Sequence, residues 1–338
     1  MTETGRLAAI FGCAGPVLGV DERDFFRDAN PFGFILFARN IENPDQVVRL
    51  TADLRAAVGR DAPILIDQEG GRVQRMRGPH WRDWSPPLDA ALAAGADAAR
   101  VLALRARLIA EELRAVGIDA NCAPVADIAG PQTHPFLRNR CYGETAAQVS
   151  ERARAVAEAH LAAGVLPVVK HLPGHGRATA DTHHDLPTVT ASRADLAAHD
   201  FAPFKALADL PMAMTAHIIF AAYDPDRPAT QSPEMIRVIR DEIGFQGLLM
   251  TDDLNMQALS GDLGQRTRAA MAAGCDIALH CKGDMAEMQQ VAAEAGEMRP
   301  ETQARARAAL ALRHPVAPVD IDALEADLAA VGQGALHG

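Results

Sequence analysis

The chain has 338 residues, 49% of them hydrophobic, and a formal net charge of -11 at pH 7. That apolar content suffices for a sizeable core and argues against disorder, while a negative balance argues against nucleic acid, whose phosphates call for basic side chains. The five cysteines are odd in number, scattered and without C-x-x-C spacing, so they read as buried thiols in a reducing compartment rather than as a disulfide framework or zinc ribbon.

Residues 1–6 are polar and lack the apolar core of a signal segment, and no apolar run reaches membrane-spanning length. The expected location is the cytoplasm, with no membrane partner. Short apolar runs of strand length follow at residues 7–11, 33–37, 63–66, 118–125, 165–169, 211–216, 247–251 and 276–279. Helical patterns separate most of them. Asn43-Pro44 opens one in which Val47, Leu50, Leu54 and Val58 recur at helical spacing before Gly59 closes it, and Ser232-Pro233 reads as an N-cap and first helical position. The Ala-rich segment 88–116 predicts one or two further helices.

Continuous apolar strands alternating with helices imply a parallel sheet covered on both faces. Eight such units suit a single-domain α/β fold over residues 1–338, a (β/α)8 barrel, better than an open doubly wound sheet. Active sites of such barrels lie at the C-terminal strand ends, and polar residues gather there: Asp67, Asp127, Lys170 with His171, His217, Asp252 with Asp253, and His280.

Several of these positions could carry chemistry. Asp252, delivered by an apolar strand, could serve as nucleophile, metal ligand or general base. Only one of the adjacent Asp252 and Asp253 can face the barrel axis, and Asp253 suits a helix N-cap or first-turn acid. Lys170-His171-Leu172-Pro173-Gly174-His175-Gly176 is too rich in Gly and Pro for a helix or strand and reads as a loop. Downstream, Asp181-Thr182-His183 sets a carboxylate two residues from an imidazole, close enough to fix its tautomer. A metal cluster of His171, His175, His183, His184 and Asp185 would need a helical face that the prolines and glycines deny, so no metal or cofactor is expected. Asp67 to Arg75 brings acids, paired glycines and arginines to one strand end, as sugar hydroxyls require, and Arg140 adds a guanidinium; either arginine could equally be a surface ion pair. Trp81 and Trp84 are expected to pack a Pro-rich loop on the barrel.

In order, D-Q-E-G-G-R-V-Q-R (67–75), A-P-V-x-D (123–127), N-R-x-Y-G (139–143), K-H-L-P-G-H-G (170–176), D-T-H (181–183) and T-D-D-L-x-M (251–256) resemble the family 3 glycoside hydrolases, in their bacterial β-N-acetylglucosaminidase branch. The resemblance spans about residues 9–281 and implies the same barrel. It implies Asp252 as nucleophile, His183 as acid/base with Asp181 polarising it, and Asp67, Arg75, Arg140, Lys170 and His171 as ligands of a terminal N-acetylglucosamine. Leu172, Thr182 and Tyr142 depart mildly from the usual pattern. The implied activity is retaining hydrolysis of cell-wall fragments by a monomer acting on a small carbohydrate. A phosphorylase on the same scaffold is the alternative, since a spent His is neutral and does not repel phosphate. A silent sugar-binding barrel and a metal-dependent hydrolase are the remaining readings. Residues 174–176 are expected to act as a hinge that lets the D-T-H segment close over bound sugar.

Overall fold

The structure is a computed structural model that describes residues 3–178, 186–317 and 319–334, with side chains described through 331. Ten strands occur among the described residues: β1 (Leu7–Gly12), β2 (Pro31–Leu36), β3 (Ile64–Ile66), β4 (Ala120–Asn121), β5 (Leu166–Leu172), β6 (Thr188–Val189), β7 (Met212–Thr215), β8 (Ile219–Phe220), β9 (Leu248–Met250) and β10 (Ala278–His280). Eight form one all-parallel sheet in the order β10-β1-β2-β3-β4-β5-β7-β9. A parallel bridge between Met250 and Ile277, with Thr251 N–H donating to the Ile277 carbonyl at 3.0 Å, joins the last strand to the first. The (β/α)8 barrel expected from the eight apolar runs is the fold. The extra pair β6 and β8 lies outside it and has no counterpart in the sequence reading.

Both faces of the barrel wall are apolar because both are covered. Ala8, Ile10, Leu65, Leu166, Val168, Met212, Met214, Leu248, Met250, Ile277 and Leu279 pack together in the interior, while Ala9, Phe11, Ile64, Ile66, Val169, Ala213 and Leu249 join the layer under the helices. The two sets alternate along each strand, as the pleat requires. Met298, Ala306, Ala309 and Leu310 complete the interior cluster. The helix Pro300–Leu310 therefore plugs the barrel at its N-terminal end, anchored by Thr302 Oγ1 on the Asp276 carboxylate at 2.8 Å.

Helix boundaries follow the local signals. In the helix Pro44–Val58 the Asn43 side chain accepts from Gln46 N–H and Gly59, at φ 64°, closes the C-terminus. Ser232 caps the helix Pro233–Arg237 through Met235 N–H. The Ala-rich segment forms the helices Pro87–Ala94 and Ala98–Ala115 joined by a 3-10 turn. No helix among the described residues is long and apolar enough to cross a membrane.

Candidate active site

Strand alternation decides which polar side chains reach the barrel mouth. Leu65 faces inward and so does Asp67 two residues on; Leu248 and Met250 lead to Asp252; Ile277 and Leu279 lead to Cys281. The outward positions go elsewhere. His280, expected at the mouth, is fully buried against Phe11 on the helix side, its ring centroid 6.4 Å from that ring. On β5 the pairing register shifts between Val169 and Leu172, so that consecutive residues Lys170 and His171 both line the pocket. Such an irregularity re-aims a side chain that strict alternation would turn away.

The resulting pocket, of about 160 Å³, has a charged side and an apolar one. Ile35, Met214 and Leu279, themselves part of the barrel interior, provide the apolar floor, with Met256 and Cys281 beside them. The charged side is an ion-pair chain. Lys170 Nζ lies 2.8 Å from Asp67 and 2.6 Å from Glu69; Arg75 Nη2 donates to the second Asp67 oxygen at 3.0 Å. Arg140 grips Glu69 with two parallel bonds of 2.9 and 2.8 Å, and its Nη2 is 3.5 Å from His171 Nε2. His171 Nδ1 in turn lies 2.7 Å from Asp127.

Charges this deep persist because each has an opposite partner. Burial alone would raise the pKa of Asp67, but the adjacent Lys170 and Arg75 outweigh it and hold the carboxyl well below the usual range. Burial of Glu69 is likewise overridden by Arg140 and Lys170. The pairing works in both directions, for burial lowers Lys170 and Arg140 less than their carboxylates raise them. The fixed Asp67 oxygens and the cationic groups around them suit vicinal hydroxyls, which both donate and accept.

Asp252 is half-buried and accepts from Asp253 N–H at 2.8 Å. Burial would again raise its pKa, yet His171, His217, that backbone bond and Lys170 together bring it below the ordinary carboxylate value, leaving an anion in the pocket at neutral pH. Asp253 behaves oppositely. Burial and the neighbouring Asp252 push it up to about 6. Its Oδ1 accepts from Asn255 N–H and Cys281 N–H, both at 3.2 Å, so it caps a turn, the helix expected there beginning only at Leu263. His217 is buried beneath, bonded to Thr230 Oγ1 at 2.8 Å and to the Asp253 carbonyl at 3.1 Å.

The Glycosyl hydrolase family 3 N terminal domain matches residues 21–311. The chain belongs to glycoside hydrolase family 3. Among relatives of this family 3 enzyme, the beta-hexosaminidase of Methylococcus capsulatus is 38% identical over 279 residues, which span 80% of this chain and 82% of that one. Native NagZ from Neisseria gonorrhoeae has the same fold, with a TM-score of 0.82 at 27% identity over 98% of both chains. NagZ from the same organism in complex with N-trifluoroacetyl-D-glucosamine gives 0.78 at 27%, over 98% of this chain and 100% of that one. The family 3 chain is thus a glycoside hydrolase, and its relatives include beta-hexosaminidases.

Six of the anticipated site residues, Asp67, Arg75, Arg140, Lys170, His171 and Asp252, line one pocket in this family 3 barrel, although they come from positions up to 185 residues apart (252 − 67 = 185). Asp181 and His183 lie outside the described residues. Among the described residues no group of His, Cys, Asp or Glu is arranged to hold a metal ion. The glycines of the K-H-L-P-G-H-G run serve close packing where a hinge was expected. A Cβ on Gly176 would sit 2.2 Å from the Ile128 carbonyl oxygen, Thr133 Oγ1 donates to the Gly176 carbonyl at 2.5 Å, and Gly174 to Gly176 are buried. Asp127 was expected at the barrel mouth without a role, His175 only in the metal alternative, and Glu69 and Arg72 only as part of the 67–75 segment, while Cys281 was not anticipated. Cys281 was legible from strand alternation; Glu69 and Asp127 stood in the quoted motifs, but their partners are distant in sequence.

Proposed function

We propose that the enzyme is a retaining exo-β-N-acetylglucosaminidase that removes terminal N-acetylglucosamine from cell-wall muropeptide fragments, in which this sugar is joined to anhydro-muramyl peptides. The observation that carries the reading is an ionised Asp252 in the same pocket as the Asp67, Arg75, Arg140 and Lys170 set. The NagZ complex with an N-acylglucosamine analogue supports the sugar, and the beta-hexosaminidase relatives support the reaction class.

In this mechanism Asp67 and its cationic partners hold the hydroxyls of the terminal ring, which presents the anomeric carbon to Asp252. The carboxylate attacks, and His183, polarised by Asp181, protonates the departing oxygen. A glycosyl enzyme of inverted configuration results. Water deprotonated by His183 then displaces Asp252 and restores the original configuration. A depressed pKa fits this duty, since the nucleophile must be ionised at the pH at which His183 carries its proton.

The test compares an aryl β-N-acetylglucosaminide with the matching β-glucoside, using wild type and Asp252→Asn. Wild type should prefer the N-acetyl sugar, and the variant should lose at least about 10³-fold in kcat, as removal of a covalent nucleophile does. Rapid quench followed by intact-mass spectrometry should show an N-acetylglucosamine adduct on wild type alone. A glucoside preference would refute the substrate, and an active Asp252→Asn the mechanism.

A further inference from the structure

Asp127 belongs to none of the roles above, yet its carboxylate is buried beside the pocket and faces three N–H groups. It is 1% exposed and reaches its place because the ends of β4 and β5 are zipped together: Val125 bridges Lys170, and Ala126 N–H donates to the Lys170 carbonyl at 2.7 Å. One oxygen faces the His171 ring at 2.7 Å from Nδ1. The other accepts from His175 N–H at 2.7 Å and from His171 N–H at 3.4 Å. An isolated carboxylate at this depth would be costly, and these N–H donors are what make it tolerable.

We infer that Asp127 is a positioning residue: it fixes the His171 ring with its proton on Nδ1, turns Nε2 toward the sugar pocket and Arg140, and with the same carboxylate pins the root of the loop at His175. The logic is one of donors and acceptors. A carboxylate offers only acceptors, so the ring nitrogen facing it must carry a hydrogen. His171 lines the pocket beside Asp252, and its Nε2 is 3.5 Å from Arg140, so the tautomer chosen by Asp127 sets what the ring presents to a hydroxyl. His175, packed against His171 with ring centroids 5.5 Å apart, is held by the same group. Ring orientation and loop root are therefore coupled through one side chain.

Asp127→Asn is a near-isosteric probe. The backbone N–H of His175 can only donate, so the amide oxygen stays on it and the amide NH2 turns to His171 Nδ1. That nitrogen must then become an acceptor, which moves the ring proton to Nε2. Two measurements follow. Nitrogen-15 NMR of the labelled wild-type protein should show His171 Nδ1 protonated, and Asp127→Asn should show the proton transferred to Nε2. Kinetically, Asp127→Asn should lower kcat/KM by about 10–100-fold, the usual effect of losing a partner that orients a functional imidazole, mainly through KM. His171→Ala combined with Asp127→Asn should be no worse than His171→Ala alone.

An unprotonated Nδ1 in wild type overturns the inference without any variant and without any substrate, and so independently of the sugar reading on which the kinetic arm rests. Losses from Asp127→Asn and His171→Ala that multiply would also overturn it, showing a purely structural carboxylate that does not act through the ring.

Discussion

Glu69 does not line the pocket, yet it holds two residues that do. With two bonds to Arg140 and one to Lys170 it is the internal counter-ion of the charged pocket wall, and its side chain is fully buried. Glu69→Gln keeps the shape and removes the charge. Because breaking a buried pair strands its cation, the expected loss is about 3–5 kcal/mol in urea unfolding, with a raised KM as Arg140 and Lys170 relax. An unchanged urea midpoint would show that the wall does not depend on this charge. The sequence made the wall legible but not its keystone. Asp67, Arg75, Arg140, Lys170 and His171 stand at strand ends or in motifs, and Glu69 stands in one too, but its part is defined by a partner 71 positions away, and no spacing rule connects the two. Cys281 is hidden for a different reason: the polar His280 stands beside it in sequence, although period-two alternation turns that imidazole outward and the thiol inward.

At the level of elements, the segment after β5 is held by close contacts that only glycine permits. Gly176→Ala would drive a methyl into the Ile128 carbonyl, a backbone atom that cannot swing aside. Overpacking of this kind costs about 1–3 kcal/mol. Activity should fall with it, because the loop root also carries the His175 contact to Asp127. Gly15→Ala is the control, with nothing within 4 Å of its added Cβ; equal melting temperatures and activities for the two variants would disprove the packing argument. Helices were the easiest elements to read, since Asn43, Pro44 and Gly59 mark both ends of the helix Pro44–Val58 through contacts within a few residues. Strand extents were harder. The apolar run 118–125 predicts one long strand, but regular pairing is confined to Ala120–Asn121, and Pro124 brings no N–H to a ladder. The β6–β8 pair depends on contacts between chain segments 31 residues apart (Thr188 with Ile219), which local patterns do not report.

For the whole molecule, the buried histidines set the response to acid. His160, His175 and His280 are each lowered to about 4, chiefly by burial. An unfolded imidazole takes its proton near pH ~6.5, so between that pH and about 4 the unfolded chain binds more protons and stability rises with pH. The depressed carboxylates Asp67, Glu69, Asp127 and Asp252 act in the same direction below about pH 4, where protonation removes what their partners stabilise. Asp253, raised to about 6, opposes them, its contribution fading as pH climbs from about 4 to 6. Melting temperature measured from pH 4 to 8 should therefore decline steadily on the acid side of about 6.5, and a flat profile would contradict the burial of these rings. The eight strands and their order of appearance were legible at this scale because parallel strands buried on both faces are continuous apolar runs. The helix Pro300–Leu310 was not, since its part in closing the barrel emerges only from where it packs. Ile35, Met214 and Leu279 are simultaneously the floor of the pocket and the top layer of the barrel filling. Carving room there for a bulkier ligand opens a void in the middle of the fold, so new substrate preferences have to be written at the rim, in the loops that follow the strands, while the pocket floor stays as constant as the scaffold itself.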